Sequence, residues 1–343
     1  AIGNLKQPVH AWGEIYTGIS AKDYMDGTSN FYGVHSVTLY VDSVQVFNST
    51  TDKVLPDENR MINGFTDYEE LTRTRRLIMR SYKLPGNRLR LLHTNENRGA
   101  VTINEERDYH FRYVLEDNFG NRRTYQFIVK GKRQDIPEYK PEANEMLYWN
   151  RTNVIQKPGM ELVVPRYYVY EDVPLRTDMR GDSSHIAFDY ILDAGRTPIH
   201  SYCDLSIGLR HMPVADTTKY YIVQKAGKWR SSMGGKYANG WIKTRVRSLG
   251  TFSVDVDTIA PQITPIGQGG WRTSRNIRFR IKDMESGIGS YKVYIDGKFV
   301  LFGLKKGILV IQDPEKVKKG VPHKLEVTVT DQCGNMTRKE YKF

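Results

Sequence analysis

The chain has 343 residues, a formal charge of +12, 39% hydrophobic residues and 22 tyrosines. That length holds two or three domains with separate cores, and no apolar run approaches the roughly 18–20 residues that span a bilayer. The charge calls for an anionic partner or for a solvated basic surface, and two distant cysteines, Cys203 and Cys333, exclude a disulfide framework.

No basic-then-apolar leader opens the chain, so a signal peptide is expected to have been removed or to lie outside this stretch. Residues 10–23 alternate (Ile15, Ile19, Ala21) and read as an opening strand; Tyr24 to Gly33 is a polar loop. Val37, Leu39 and Val41 share one face of a hairpin that turns at Asp42-Ser43 and returns through Phe47. Residues 48–107 break the strand pattern. Within them Asp67 to Arg80 has helical content, with acidic residues before basic ones, and Leu84-Pro-Gly-Asn87 ends it. An insertion this long is functional or is ordered by a neighbour. A hairpin over Asp108–Val129, turning at Asp117-Asn-Phe-Gly-Asn121, closes the unit. Gly131 to Asn144 is a charged, Pro-containing linker.

Between 145 and 256, strand-like segments recur at sandwich spacing: 158–165, 167–170, 185–191, 205–209, 219–224, 240–246 and 250–256. Asp257 to Pro265 is a Pro-punctuated junction. A strand over 277–282 follows, then a hairpin on Asp296-Gly297. The chain closes on a second Asp-x-x-Gly-Asn hairpin, turning at Asp331-Gln-Cys-Gly-Asn335. The first and last units therefore form a diverged internal repeat. The expected fold is all-β: three immunoglobulin-like β-sandwich domains in series, over 1–132 with a partly helical insertion at about 48–107, 145–256 and 258–343.

Catalytic signatures are missing. The eight histidines show no His-x-His or His-Glu-x-x-His spacing, and no nucleophile elbow or P-loop is present. No catalytic residue, metal ligand or cofactor is assigned to this chain. The repeated carboxylates Asp283, Glu285, Asp296 and Asp331, matched by Asp23, Asp26, Asp42 and Asp117, could converge on calcium. The favoured reading is that each caps its own turn. The densest cations are Arg73, Arg75, Arg76, Arg80, Lys83, Arg88 and Arg90 in the insertion. On a helix, Arg73, Arg76 and Arg80 would share a face, a docking surface for an anionic polymer or an acidic neighbouring domain, set against a plain solvated face. RNA- and DNA-binding patterns are absent, so no nucleic acid is expected. Trp229, Trp241 and Trp271 are candidate stacking platforms, with core packing as the commoner use.

Several blocks carry a resemblance. GVHSVTLYVDSVQVF, DENRMINGFTDYEE, RLIMRSYKLPGN, FRYVLEDNFGN, then GKYANGWIKTRVRSLGTFSVDVDTIAPQITPI, SGIGSYKVYIDGKFVLF and HKLEVTVTDQCGN resemble, in order, the region downstream of the catalytic domain in Bacteroidetes lysostaphin/LytM-type zinc metallopeptidases. The resemblance implies a non-catalytic accessory region of an exported cell-wall peptidase, in the periplasm or cell envelope. It would position or regulate a peptidase domain in cis, or dock that domain to peptidoglycan or another anionic envelope polymer. Zinc is expected only in a domain preceding Ala1, because the family's ligand spacings do not occur here. The alternative is a free-standing adhesion or carbohydrate-binding module.

Overall fold

The computed structural model describes residues 9–24, 27, 31–138, 140–182 and 184–343. Of the loop expected from Tyr24 to Gly33, residues 25, 26 and 28–30 lie outside the described residues, Asp26 among them, and its ends pair as a short ladder, Asp23–Tyr24 with Phe31–Tyr32. The protein is mostly β-structure, and its strands fall into three groups with separate apolar cores.

The first group is one six-stranded sheet, in the order Val9–Ala11, Arg122–Gly131, Asp108–Glu116, Ser36–Val41, Val44–Thr50 and Leu92–Thr94. Period-two alternation buries Val37, Leu39 and Val41 against Phe111 and Tyr113. Asp42 and Ser43 both take positive φ, as a tight hairpin turn requires. The layer over this sheet is not a second large sheet. It consists of two short ladders, Gly13–Ile15 with Val101–Ile103 and Gly18–Ile19 with Met79–Arg80, together with the insertion. The single opening strand expected over 10–23 is therefore four short ones, each with a different partner.

The expected helix over Asp67–Arg80 is only Tyr68–Thr74. Asp67 caps its start by accepting from Glu70 N at 3.0 Å. Thr74 Oγ1 donates back to Glu70 O and accepts from Arg76 N, and Arg75 turns left-handed at φ 66°. Local side-chain bonding ends the helix there, and Arg80 lies on a strand.

The middle group is a sandwich. A six-stranded sheet (Glu145–Leu147, Val173–Arg180, Asp189–Asp193, Gly250–Val256, Tyr220–Ala226, Trp229–Ser232) faces a five-stranded one (Asn153–Lys157, Met160–Val164, Cys203–Gly208, Trp241–Val246, Lys236–Ala238). Leu175, Tyr190 and Phe252 from one sheet meet Ile155, Leu162 and Ile207 from the other. Residues 167–170, expected as a strand, form a turn with Tyr167 at φ 67°. The strand expected from 185 begins at Asp189.

Two four-stranded sheets make the last group: Gln262–Ile266, Arg278–Lys282, Ile308–Ile311, Phe302–Lys305, and Lys298–Phe299, Ile288–Ile295, Lys324–Asp331, Met336–Lys342. The Pro-rich junction therefore already contains a strand at 262–266. The repeat recurs at the level of hydrogen bonds. Asp42 N and Asp296 N donate to the carbonyls of His110 and Lys324, at 2.9 and 2.8 Å. The Asp42 and Asp296 carboxylates accept from the amides of the same two residues. No helix among the described residues is long and apolar enough to cross a membrane.

Candidate functional site

The seven insertion cations do not form one surface. Arg73 pairs with Glu70 on its own helix. Arg75 caps that helix, and Arg76 follows it exposed. The guanidinium of Arg90 grips Glu58 through two bonds of 2.6 and 3.0 Å and holds that carboxyl at about 2. Arg88 lies on the Tyr167 ring, 4.7 Å from its centroid. Lys83 is partly buried, and burial lowers its pKa. Arg80 faces Glu171 of the middle group at 3.9 Å. The helical face of Arg73, Arg76 and Arg80 does not exist, because the helix stops before Arg76.

What the insertion does is hold the middle group. Tyr170 is buried in the first core. Its hydroxyl donates to Arg60 O at 2.8 Å and lies 3.0 Å from His200 Nδ1. One hydroxyl proton serves the carbonyl, so His200 Nδ1 carries the other proton. Burial, with Arg60 and Arg88 nearby, lowers the His200 pKa and keeps the ring neutral. Arg60 returns bonds to the carbonyls of His200 and Ile199 at 2.8 and 3.1 Å. Gly64 and Gly86 make room for this plug: a Cβ would sit 2.8 Å from the Tyr170 ring and 3.0 Å from its carbonyl oxygen, respectively. Beside the plug runs a cleft of about 680 Å³. Two ion pairs lie within it, Arg80 with Glu171 and Arg176 with Asp193, and Glu69, Glu142, Asp172 and Arg196 also line it. Burial raises the Glu171 pKa and Arg80 opposes that rise.

The carboxylates divide between two ends of their sheets. Asp42 and Asp296 sit at hairpin tips, while Asp117 and Asp331 sit at the far ends of the neighbouring strands. Asp283 and Asp331 do meet, joined by Asp257, with one oxygen each inside 4.8 Å of the others. These oxygens already accept bonds. Asp257 receives Ile259 N, Ser286 N and Ser286 Oγ. Asp283 receives Glu285 N and Gly287 N. Asp331 receives Cys333 N, Asn335 N and Asn335 Nδ2. The cluster is a hydrogen-bonded joint: Asn335 Nδ2 also donates to Asp257 O at 3.0 Å, and Lys219 Nζ donates to Cys333 O at 3.0 Å. Cys333 closes the joint with Tyr221 and Val223. Asp257 had no repeat partner in sequence, so nothing in the pattern marked it.

The three tryptophans meet three fates. Trp271 is fully buried, with its ring on Phe279, Tyr341 and Phe343, and its Nε1 donates to Ile266 O. It is core, not a platform. Trp229 is exposed on a hairpin tip. Trp241 is half-buried and forms one wall of a hollow of about 380 Å³ on the middle sandwich. Gly208 lines the hollow beside this ring; a Cβ there would sit 3.6 Å from it, at ordinary contact distance. Phe188 lines it, with the Arg210 guanidinium 4.1 Å from the ring centroid. Arg210 is tied down by donating to Asp182 O. Asn239 and Gly240, at φ 51° and 84°, form the tight turn at the rim. No carboxylate, imidazole or thiol lines the hollow. Tyr190 reaches its floor, but its hydroxyl donates to Pro158 O, and burial pushes its pKa up to about 12.

The thiols offer no nucleophile. Both are buried and unpaired, and burial pushes Cys203 to about 12 and Cys333 to about 11.

The sequence profile of the Zu5-like domain matches residues 144–257, the middle sandwich that carries the hollow. No curated protein sequence matches the chain. Among solved structures, similarity is found to a Ca²⁺-stabilised adhesin with which an Antarctic bacterium binds ice, at 10% identity over 97% of this chain and 94% of that one, TM-score 0.18. It is found to SGBP-B of a Bacteroides ovatus mixed-linkage glucan utilization locus, in complex with a heptasaccharide, at 10% identity over 100% and 66%, TM-score 0.16. It is found to Drosophila N-cadherin EC1-4, at 12% identity over 98% and 72%, TM-score 0.18. None of these TM-scores reaches the level of a shared overall arrangement.

Proposed function

We propose that this chain is a non-catalytic binding segment of an exported surface protein, and that the hollow beside Trp241 holds a neutral glycan. The observation that carries this reading is the make-up of the hollow. An aromatic plate suits the C–H face of a sugar ring, and a fixed guanidinium and a rim amide suit its hydroxyls. The volume lies within the usual range for small-ligand pockets. The residues lining it include no acid–base pair, so it retains and does not cleave. The larger cleft beside Tyr170 is less suited, because carboxylates and guanidinium groups line much of it and no tryptophan does.

A glycan array tests this. The wild-type chain should be retained on a subset of neutral oligosaccharides, and Trp241→Ala should lose about tenfold or more in affinity at unchanged thermal stability. A blank array, or retention indifferent to Trp241, contradicts the assignment.

A second reading rests on the sequence blocks that run in order along nearly all of the chain: a segment that positions a zinc peptidase domain in cis, in the periplasm or envelope. Under either reading, zymography of this chain on cell walls is blank. Clearing that EDTA abolishes would overturn both.

A further inference from the structure

The outer face of the last domain's first sheet holds cations that the fold does not use. Residues 258–343 contain 16 Lys and Arg against 8 Asp and Glu, so most of the chain's +12 resides there. On the strand Arg278–Lys282, Phe279 and Ile281 point inward and are buried, which places Arg278, Arg280 and Lys282 on the outer face. They follow one another at about 6.6 Å, two residues of strand rise. Ladder register sets Thr264 and Ile308 on either side of Arg280, with Lys305 beyond Ile308. No Asp or Glu occupies a position of this face. Among the described residues none of the four cations forms an ion pair, and the buried Arg278 Nε has no hydrogen-bond partner.

The opposite sheet of the same domain is treated differently. There Arg338 pairs with Glu326, and Lys324 pairs with Glu340 at 3.1 Å. One sheet carries carboxylates among its basic side chains, and the outer face of the other carries none. Like charges stacked along a strand oppose folding, so the row has no structural reason.

We propose that this face is a docking surface for a linear anionic polysaccharide. A flat, four-stranded face with charge at a regular spacing suits an extended polymer with repeated carboxylates, to which guanidinium groups donate paired bonds. The flanking side chains are aliphatic, threonine, glutamine and glycine. With no aromatic ring beside the cations, the face lacks the stacking platform of a single-stranded nucleic-acid site. The surface is independent of the Trp241 hollow and of the insertion cations.

The test uses the whole chain over immobilised polygalacturonate, with neutral dextran and single-stranded DNA as further probes, at about 50 and about 500 mM salt. Polygalacturonate binding at low salt should be lost at high salt. The double variant Arg280→Gln/Lys282→Gln should weaken it about thirtyfold, while Arg73→Gln/Arg76→Gln and Trp241→Ala leave it unchanged. Matching thermal melts show that the variants fold. Equal weakening by the Arg73/Arg76 pair, no polygalacturonate binding at low salt, or tighter binding of DNA with the same variant dependence would each overturn the proposal.

Discussion

His323 shows how one side chain ties its domain to pH. Its Nδ1 lies 2.6 Å from Asp296 Oδ2 and its Nε2 lies 2.8 Å from Lys318 O. A ring with an acceptor at each nitrogen is satisfied only as the imidazolium. Burial and nearby Arg272 press its pKa down, but Asp296 and the Lys318 carbonyl outweigh them and hold it above 6.5. A pKa raised in the folded state means that the stabilisation is complete below the unfolded value and lost as pH rises through the folded one. The melting temperature of the last domain should therefore fall from mildly acidic to mildly alkaline pH, and Asp296→Asn should flatten that slope. A pH-independent wild-type melt would contradict the doubly bonded imidazolium. In sequence, Asp296 was legible as a turn residue beside Gly297. Its bond to His323 was not, because a contact across 27 residues has no local signature. The tryptophans make the same point. Trp229, Trp241 and Trp271 are chemically alike, and only tertiary packing separates tip, hollow wall and core.

Elements were legible where their period was clean. Ser36–Val41, Asp108–Glu116 and Lys324–Asp331 alternate inside and out, and their turns contain Asp, Gly or Asn. Val173–Arg180 escaped notice because Pro174 interrupts it and its outer face is charged. The hairpin of Phe302–Lys305 and Ile308–Ile311 turns on Lys306-Gly307, a weaker turn signal. The helix was overdrawn because its tail composition suited a helix, while Thr74 took the bonds that would have extended it. The repeated Asp-x-x-Gly-Asn turn is the most instructive element. Its internal bonds match in both copies: Asp117 accepts from Phe119 N, Asn121 N and Asn121 Nδ2 just as Asp331 does from Cys333 and Asn335. Yet the second copy is packed into a joint, while Phe119 at the first tip is 91% exposed. Asn335→Ala should therefore cost about 1–3 kcal/mol, because it unmakes bonds in a buried setting, and Asn121→Ala less than about 1 kcal/mol. Equal losses in denaturant unfolding would show that the joint adds nothing.

For the whole molecule, the insertion that breaks the first domain's strand pattern is what couples that domain to the next. Length and composition marked the segment as unusual, but the partner, the Tyr167–Tyr170 turn, read as a strand because tyrosines favour strands. Tyr170→Ala should cost about 3–5 kcal/mol and split a single calorimetric transition into two as the first and middle groups uncouple. Tyr170→Phe should cost about 1–3 kcal/mol through the orphaned Arg60 carbonyl. A Tyr170→Ala chain that still melts in one step would remove the coupling role. The hollow beside Trp241 was legible only in its aromatic wall, since Gly208 and Asn239 gain meaning from the strand pairing that sets them beside it.

The most direct measurement is calorimetric titration of an array-selected neutral oligosaccharide into the wild-type chain and into Gly208→Leu, which fills the hollow while leaving Trp241 in place. The account predicts one site per chain in the wild type and loss of binding in the variant at an unchanged fold. Undiminished binding by Gly208→Leu would place the ligand elsewhere and contradict the assignment.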